Sequence, residues 1–381
     1  MKKLIFNTFR KNNAYLFLFI LFTLSLFIWV IQAVNFLDFV SEDGHGFKVY
    51  FLYTLLSLPK IISKIFIFVF FITLFLSLLK YEKNNELIIF WNNGISKIEF
   101  TNNLIRYSIF FLIIQFFLTS LVVPKTQDLG RSFIRSSDID FFPSLIKEKR
   151  FVDTVENLTI FVEEKKNNGI MNNIFLKENN PNGKSKVIFA KEGKINTSGD
   201  NNYLMLDNGY NINFDNNEIS SFAFKNSQIN LSKFRTKTTI TPKIQEIKST
   251  SLIKCLYFHY NNQINLFNYN YKTQTYTKTN FLCEVNFIKN IKEEIFKRMF
   301  VPFYIPLITL ISCFLIINPK ENSNYTYYRN LISIFGIFLI FFSEISYRFV
   351  GTNNFYFIFF SLSPLILFII SYIYFLKIQR L

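Results

Sequence analysis

The side chains most able to act as an acid, a base or a metal ligand are the two histidines, His45 and His259. Neither stands at the spacing from cysteine or carboxylate residues that is typical of a metal site. The chain also has no Walker lysine loop, no GxSxG nucleophile turn and no HExxH zinc motif. We therefore expect no enzyme activity, no bound metal and no cofactor.

Three cysteines offer a second kind of chemistry. Cys255 and Cys283 both lie in a polar part of the chain and could pair in an oxidising compartment, whereas Cys313 lies inside an apolar run. Three cysteines are too few for a disulfide framework, so we expect free thiols.

Charged residues within or beside apolar runs are the third candidate group, because a charge in hydrocarbon costs about 2.5–3.5 kcal/mol or more. Glu344 and Arg348 are four residues apart on one helix face and could neutralise each other. Alternatively they line a polar cavity, with Arg348, Lys60 and Lys64 forming a ring of cations near the outer membrane surface. The sequence leaves both possibilities open.

The composition is that of an integral membrane protein with a sizeable water-exposed part. Half of the 381 residues are hydrophobic and the mean hydropathy is +0.23. The formal net charge is +16, but no basic motif accompanies it, so nucleic acid is not an expected partner.

Six apolar runs are each long enough to cross about 30 Å of hydrocarbon at about 1.5 Å per residue. Basic residues precede the first run and acidic residues follow it, so the positive-inside rule places both termini in the cytoplasm. The runs cover residues 15–34, 61–79, 104–123, 301–317, 331–349 and 355–376.

A polar insert separates the first three runs from the last three. It contains short stretches of alternating polarity, such as NLTIFVEE at 157–164, and turn signals at 181–183 and 207–209. This pattern predicts an all-β domain outside the membrane. The chain divides into residues 1–123 with spans one to three, residues 124–284 with the β-domain and a linker, and residues 285–381 with spans four to six. The end of the β-domain is not defined between residues 236 and 284.

The connection between the second and third runs contains a short predicted helix. It begins at Glu86, carries the apolar residues Leu87, Ile88, Phe90 and Trp91, and is closed by Gly94. It could lie on the lipid surface. Alternatively it is a docking helix for a soluble partner, with Glu86 facing a basic residue.

This layout resembles the lipopolysaccharide export permeases, the LptF/LptG (YjgP/YjgQ) family, over nearly the whole chain. The segments of the inserted domain look closer to LptF than to LptG. The matching segments are SLPK (57–60), NELIIFWNNGIS (85–96), VVP (122–124), LIKEKRF (145–151), LTIFVEEKKNNGIMNNIFLKE (158–178), VIFAKEGKI (187–195) and EIFKRMFVPF (294–303).

The resemblance implies a six-span helical bundle in the inner membrane, with an inserted periplasmic domain that is jellyroll-like. It implies a non-catalytic permease subunit of an ATP-driven exporter, which takes lipopolysaccharide from the membrane and passes it through its β-domain. The implied partners are the other permease in an LptF–LptG heterodimer, the LptB ATPase dimer, LptC and membrane lipids.

By the same resemblance, the segment from Glu86 to Gly94 would couple the permease to the ATPase. Arg298 would join Lys60, Lys64, Glu344 and Arg348 at the substrate cavity. The alternatives are a permease for another envelope lipid or lipoprotein, and an envelope scaffold protein that transports nothing.

Overall fold

A computed structural model describes residues 2–37, 47–136, 146, 148–155, 158–166, 169–179, 185–198, 201–215, 218–230, 243–261, 283 and 287–380. Within these residues, six helices are long and apolar enough to cross a membrane. A six-stranded antiparallel sheet lies between the third and the fourth of them in sequence. The prediction of a helical membrane bundle with an inserted β-domain is confirmed. His45 lies outside the described residues.

The helices of the first half are longer than the apolar runs that predicted them. They are α1 (Lys2–Asn35), α2 (Phe47–Leu56), α3 (Leu58–Lys83), the short α4 (Leu87–Asn92), α5 (Lys97–Phe117), a π-helical turn (Leu118–Val122) and α6 (Val123–Ser136). Pro124, where the sequence placed the start of the insert, is the second residue of α6. Proline is tolerated in the first turn of a helix because the missing N–H has no partner there.

The helices of the second half follow the sheet. They are α7 (Ser249–Tyr260), α8 (Ile288–Met299), α9 (Tyr304–Cys313), α10 (Tyr325–Val350) and α11 (Asn354–Arg380), with 3₁₀ turns at Ile244–Glu246, Val301–Phe303 and Phe314–Ile316. Pro302 lies in the 3₁₀ turn between α8 and α9, where the α-helix of the fourth span is interrupted.

Phenylalanine rings fill the core of the helical bundle. Phe17 of α1 and Phe70 of α3 both pack on Phe111 of α5, each with ring centroids 4.9 Å apart. Close approach between α10 and α3 depends on Gly336, because a Cβ atom there would lie 2.2 Å from the ring of Phe71. The bundle therefore packs a glycine against a ring, in the small-to-large manner common between membrane helices.

A buried polar network joins the first three spans. Asn13 of α1 donates hydrogen bonds to the carbonyl oxygen of Thr73 and to Ser77, both on α3. Tyr107 of α5 donates to the amide oxygen of Asn13 at 3.1 Å. In hydrocarbon, where water does not compete, such bonds fix the rotation of one helix against its neighbours.

The sheet is an antiparallel meander in which each strand pairs with the next one in sequence. Its strands are β1 (Arg150–Val155), β2 (Leu158–Lys165), β3 (Ile170–Asn179), β4 (Ser185–Ser198), β5 (Asn201–Asp215) and β6 (Glu218–Asn230). One face carries the core row Val162, Ile174 and Ala190, all buried and in register across β2, β3 and β4. Gly209 extends this row, since a Cβ there would lie 2.1 Å from the carbonyl oxygen of Phe189.

The segment after the sheet is partly helical, where the sequence predicted only the tail of the β-domain and a linker. α7 packs its buried residues Leu252 and Cys255 against Ile291 of α8. Cys255 and Cys283 form a disulfide bond, so the expectation of free thiols was wrong for this pair. Cys313 is free and buried.

Contacts divide the chain into two units. The first comprises residues 1–30, 57–128 and 243–381, and contains most of the membrane helices. The second comprises residues 31–56 and 129–242, and contains the sheet. Within the second unit, α2 contacts the end of α1: Tyr50 donates a hydrogen bond to the carbonyl oxygen of Ala33 at 2.8 Å.

Candidate functional site

A polar cavity of about 120 Å³ lies among α3, α5, α8 and α10, within the first unit. Four of the five charged residues predicted for a substrate cavity line it: Lys60, Lys64, Arg298 and Glu344. The sequence did not single out the other charged residues of this wall, Glu294 and Lys297, although both lie in EIFKRMFVPF.

Arg298 uses its guanidinium to hold the chain where it returns from the β-domain. The group is 2% exposed and donates to the carbonyl oxygens of Ile247 at 2.7 Å and Gln245 at 3.0 Å. It also donates to Ser249 at 3.0 Å and pairs with Glu294 at 2.9 Å. A buried guanidinium is stable only with partners of this kind. Arg298 therefore shapes the cavity wall, and its Nε, Nη1 and Nη2 atoms already donate within the protein.

The π-helical turn contributes polar groups from the third span. Thr119, within this turn, donates to the carbonyl oxygen of Arg298 at 3.0 Å and lines the cavity. Gln115 is 2% exposed and donates to the carbonyl oxygen of Ser63 at 2.8 Å, while its own side-chain oxygen has no hydrogen-bond partner among the described residues. π-Helical turns are rare and are frequent at functional sites. A glutamine inside an apolar run was the sequence signal for this part of the wall.

Two lysines supply the free positive charge of the cavity. Among the described residues, the ammonium groups of Lys60 and Lys64 have no hydrogen bond or ion pair. The ammonium of Lys297 lies 3.6 Å from the ring centroid of Tyr347, a cation–π contact. The wall is mixed in sign because it also contains the acids Glu294 and Glu344. Its cations, Lys60, Lys64, Lys297 and Arg298, are in excess.

Arg348 does not line this cavity. Glu344 and Arg348 are both exposed, and in the part of the chain that the structure describes they form no ion pair with each other. Glu344 therefore lines the cavity, and Arg348 lies outside the cavity wall on the same helix.

The predicted docking segment forms the short helix α4, and its apolar residues divide between two faces. Leu87 and Phe90 are buried in the core of the bundle, with Phe90 4.9 Å from the ring centroid of Phe100. Ile88 and Ile89 are 47% and 51% exposed, and Trp91 is half-buried. The accessible apolar surface of α4 is therefore Ile88 and Ile89. The sequence analysis named Ile88 among the apolar residues of the segment and did not name Ile89.

Left-handed residues hold the turns at both ends of α4. Asn85 has φ +60° and Gly94 has φ +68°. Both are residue types that accept this conformation at low cost. Lys2, at the start of α1, donates to the carbonyl oxygen of Gly94 at 3.1 Å and pairs with Glu99 at 3.1 Å.

The loop between the fourth and fifth spans contacts both flanks of α4. Before α4, Tyr325 donates a short hydrogen bond to Glu82, and Lys320 donates to the carbonyl oxygen of Lys83 at 3.4 Å. After α4, Lys97 donates to the carbonyl oxygen of Ile317 at 3.3 Å. Displacement of α4 would therefore be transmitted to the ends of the fourth and fifth spans.

A row of aromatic rings crosses the sheet on the face opposite its core. Phe151, Phe161, Phe175, Phe189 and Tyr210 are paired in register across β1 to β5. Phe151 and Tyr210 are 67% and 62% exposed, and a cavity of about 400 Å³ lies over the row. A water-exposed patch of this kind on a sheet is typical of a binding surface for an apolar group.

Within the described residues, no group of three or more His, Cys, Asp or Glu residues is placed to hold a metal ion. A multi-span bundle with a polar cavity among its helices and an inserted β-domain defines a multi-pass membrane protein. Residues 9–378 match the model of one family, and the chain belongs to it: the lipopolysaccharide export system permease LptF/LptG family.

A curated relative gives no further functional information. The chain is 22% identical over 227 residues to an uncharacterised protein, RP871, of Rickettsia prowazekii (strain Madrid E). The match covers 58% of this chain and 62% of that protein.

Proposed function

We propose that this protein is the permease subunit of an ATP-driven exporter that removes lipopolysaccharide from the inner membrane. The observation that carries the proposal is the cation-rich cavity among four spans, with Lys60 and Lys64 unpaired among the described residues. Family membership supports the same substrate class.

The chemistry of the substrate fits this cavity. A phosphorylated glycolipid carries anionic groups at headgroup height and acyl chains in the bilayer. Lysine ammonium groups make strong charge-assisted hydrogen bonds to phosphate, and the apolar spans next to them suit the chains. The side-chain oxygen of Gln115 accepts no hydrogen bond from the described residues and suits a sugar hydroxyl, which donates one.

The β-domain then receives the acyl chains. The aromatic row from Phe151 to Tyr210 offers an apolar channel that crosses five strands. An edge strand of the same sheet would pair with the sheet of LptC and continue the path. Lipid would pass along the row of rings from one strand to the next.

Energy enters through α4. Ile88 and Ile89 would contact an LptB subunit, with Glu86 meeting a basic residue at the rim of that contact. A second permease of the family would complete the membrane part as an LptF–LptG heterodimer, with an LptB dimer below it.

In this proposal, α4 and both termini lie in the cytoplasm and the β-domain lies in the periplasm. The Cys255–Cys283 disulfide supports this arrangement, because disulfides persist in the periplasm and are rare in the cytosol. Basic residues at the ends of the helices near α4, including Lys80, Lys83 and Lys97, agree with the positive-inside rule.

Crosslinking tests the proposal. A photoreactive amino acid at Thr119, within the cavity wall, is expected to crosslink to lipopolysaccharide in cells. Adding the Lys60→Gln/Lys64→Gln substitutions to this protein is expected to reduce the crosslinking yield about tenfold. The control pair is Lys194→Gln/Lys225→Gln, on exposed residues of the sheet that line neither cavity. Equal yields from all three proteins would reject the cavity as the substrate site.

Two other functions would give different results in crosslinking and purification experiments. A permease for a different lipid or lipoprotein would crosslink to that molecule at Thr119. An envelope scaffold would crosslink to none and would purify in mild detergent without a nucleotide-binding subunit.

A further inference from the structure

Proline removes a backbone hydrogen-bond donor from both the third and the fourth span beside the polar cavity. In an uninterrupted α-helix, each carbonyl oxygen accepts a hydrogen bond from the N–H group four residues further along the chain. For Ser120 in the third span that residue is Pro124, and proline has no N–H. For Arg298 in the fourth span it is Pro302. Each span therefore contains a carbonyl group that lacks its α-helical donor.

Hydroxyl groups from other segments of the chain replace both donors. Thr119 of the third span donates to the carbonyl oxygen of Arg298 at 3.0 Å. Ser249, at the start of α7, donates to the carbonyl oxygen of Ser120 at 2.7 Å. Ser249 also accepts a hydrogen bond from the guanidinium of Arg298 at 3.0 Å, so the two contacts are joined. Hydroxyl side chains are a usual means of satisfying the carbonyl groups that proline leaves free in membrane helices.

Both spans also depart from α-helical geometry at this point. The N–H group of Val123 bonds to the carbonyl oxygen of Leu118, five residues back, within the π-helical turn of the third span. The fourth span has the 3₁₀ turn Val301–Phe303 between α8 and α9. Helices bend at prolines and at π-helical turns because a regular hydrogen bond is missing there. Since Thr119 and Val301 line the cavity, the two spans can bend where they form its wall.

Polar atoms beside these turns would gain hydrogen bonds if the spans moved apart. Among the described residues, the side-chain oxygens of Gln115 and Ser120 are buried and have no hydrogen-bond partner. The hydroxyl of Thr119 also lies 2.9 Å from the carbonyl oxygen of Gln115, so it keeps an acceptor within its own span. Water in a wider cavity would reach the buried oxygens, which offsets part of the cost of breaking the contacts between the spans.

The polar cavity is too small for a lipid headgroup in this conformation. Its volume is about 120 Å³, whereas pockets that bind small ligands usually measure about 300–1,000 Å³. A headgroup can therefore reach both Lys60 and Lys64 only after the cavity has widened.

We propose that Pro124 and Pro302 form a paired hinge that opens the polar cavity. In the closed state, Thr119 and Ser249 hold the two carbonyl groups that lack helical donors. In the open state, both contacts are released and α8 moves away from the start of α6. A ligand that fits only the open cavity stabilises that state. The hinge rests on the proposed function in one respect, namely that this ligand is a phosphorylated glycolipid.

Distances between spin labels test the hinge in the full-length protein in lipid nanodiscs. Labels at Lys125→Cys and Asn290→Cys, exposed positions on α6 and α8, report the separation in a Cys313→Ser background. Thr119→Val keeps the shape of the side chain and removes the hydroxyl. It is expected to raise the fraction of the longer distance roughly fivefold, the usual effect of one lost hydrogen bond. Thr119→Ser keeps the hydroxyl and should match the unsubstituted protein.

Thr126→Val is the matched control, because the hydroxyl of Thr126 donates within its own helix, to the carbonyl oxygen of Val123 at 3.1 Å. Pro302→Ala restores an N–H group that can bond to the carbonyl oxygen of Arg298 within the fourth span. Adding Thr119→Val to Pro302→Ala should therefore cause no further change in distance. The same response to Thr119→Val with and without Pro302→Ala would overturn the hinge.

Ser249→Ala tests the second contact and is expected to raise the fraction of the longer distance in the same way. Distances equal to those of the unsubstituted protein in both Ser249→Ala and Thr119→Val would also overturn the hinge.

Added lipids separate the hinge from the proposed substrate. Lipopolysaccharide is expected to increase the fraction of the longer distance in the labelled protein, and phosphatidylethanolamine is not. A response to Thr119→Val without a response to lipopolysaccharide would support the hinge and count against the proposed substrate. A response to lipopolysaccharide without a response to Thr119→Val would support the substrate and refute the hinge.

Discussion

Arg298 lines the polar cavity and also holds the chain that returns from the β-domain. An arginine at the entrance to a span resembles a substrate contact, and the resemblance to the permease family led to that hypothesis. In the structure its guanidinium donates to two backbone carbonyls, a serine and a glutamate. Its position at the cavity was predictable, but three of its four partners were not, because they come from residues 245–249, about 50 positions away.

Arg298→Lys is therefore expected to destabilise the protein by about 2 kcal/mol or more, although the charge is kept. A lysine has no planar fork to reach several acceptors at once, and buried hydrogen bonds to charged groups contribute roughly 1.5–3 kcal/mol each. Thermal unfolding in detergent measures the change. Lys297→Arg, on the same helix and able to keep its contact with Tyr347, serves as the control. A melting temperature equal to that of wild type would refute the role of the Arg298 guanidinium in holding residues 245–249.

At the scale of elements, α4 carries two opposite faces in six residues. Leu87 and Phe90 anchor it in the bundle, and Ile88 and Ile89 face outward. The sequence predicted the helix and its closing glycine from local signals. It did not predict which side faces the bundle, since too few residues are present to define an apolar period.

Ile88→Asp/Ile89→Asp is expected to abolish copurification of the nucleotide-binding subunit, because the change places two charges on an apolar contact. Glu86→Ala is expected to retain that subunit and to uncouple ATP hydrolysis from export. Asn92→Asp, also exposed on α4, is the matched control. Affinity purification and ATPase assays of the complex supply the readouts. Normal assembly and export by the aspartate variant would exclude α4 as the docking element.

The contact of α10 with α3 is a second case in which elements decide the outcome. Gly336→Leu should destabilise the bundle by about 1–3 kcal/mol, as overpacked cores do, because the new side chain would overlap the ring of Phe71. Ile334→Leu, at a 68% exposed position of the same helix, should have little effect. Unfolding of both variants in detergent, followed by fluorescence, compares them. Equal stabilities would mean that α10 does not pack at Gly336.

At the scale of the whole molecule, the disulfide connects topology with stability. Cys255 and Cys283 are 28 residues apart, and closing a loop of this length contributes roughly 3–4 kcal/mol. The expectation of free thiols was wrong because pairing depends on where two distant segments meet. Sequence spacing alone does not contain that information.

We expect the pair to be oxidised in cells and Cys255→Ser to lower the melting temperature. Quenching cells with acid and then denaturing the protein in the presence of N-ethylmaleimide, followed by mass determination, should label Cys313 alone. The Cys313→Ser variant, expected to show no labelling, is the control. Labelling of all three cysteines in wild-type protein would contradict both the disulfide and the periplasmic location of this segment.

The sequence by itself determined the class of the protein: six spans, a β-rich insert and a short helix between the second and third spans. These features follow from local patterns, namely apolar run length, alternation of polarity and glycine at a helix end. Burial in lipid or in a sheet imposes those patterns on every residue of the element.

The tertiary structure decided which side chains meet. It brought Lys60, Lys64, Gln115 and Glu344 to one cavity and left Arg348 beside it. It also joined Cys255 to Cys283 and turned Ile88 and Ile89 outward. The physical reason is that such contacts depend on the rotation of each helix and on close packing between segments far apart in the chain, and neither is encoded in a local pattern.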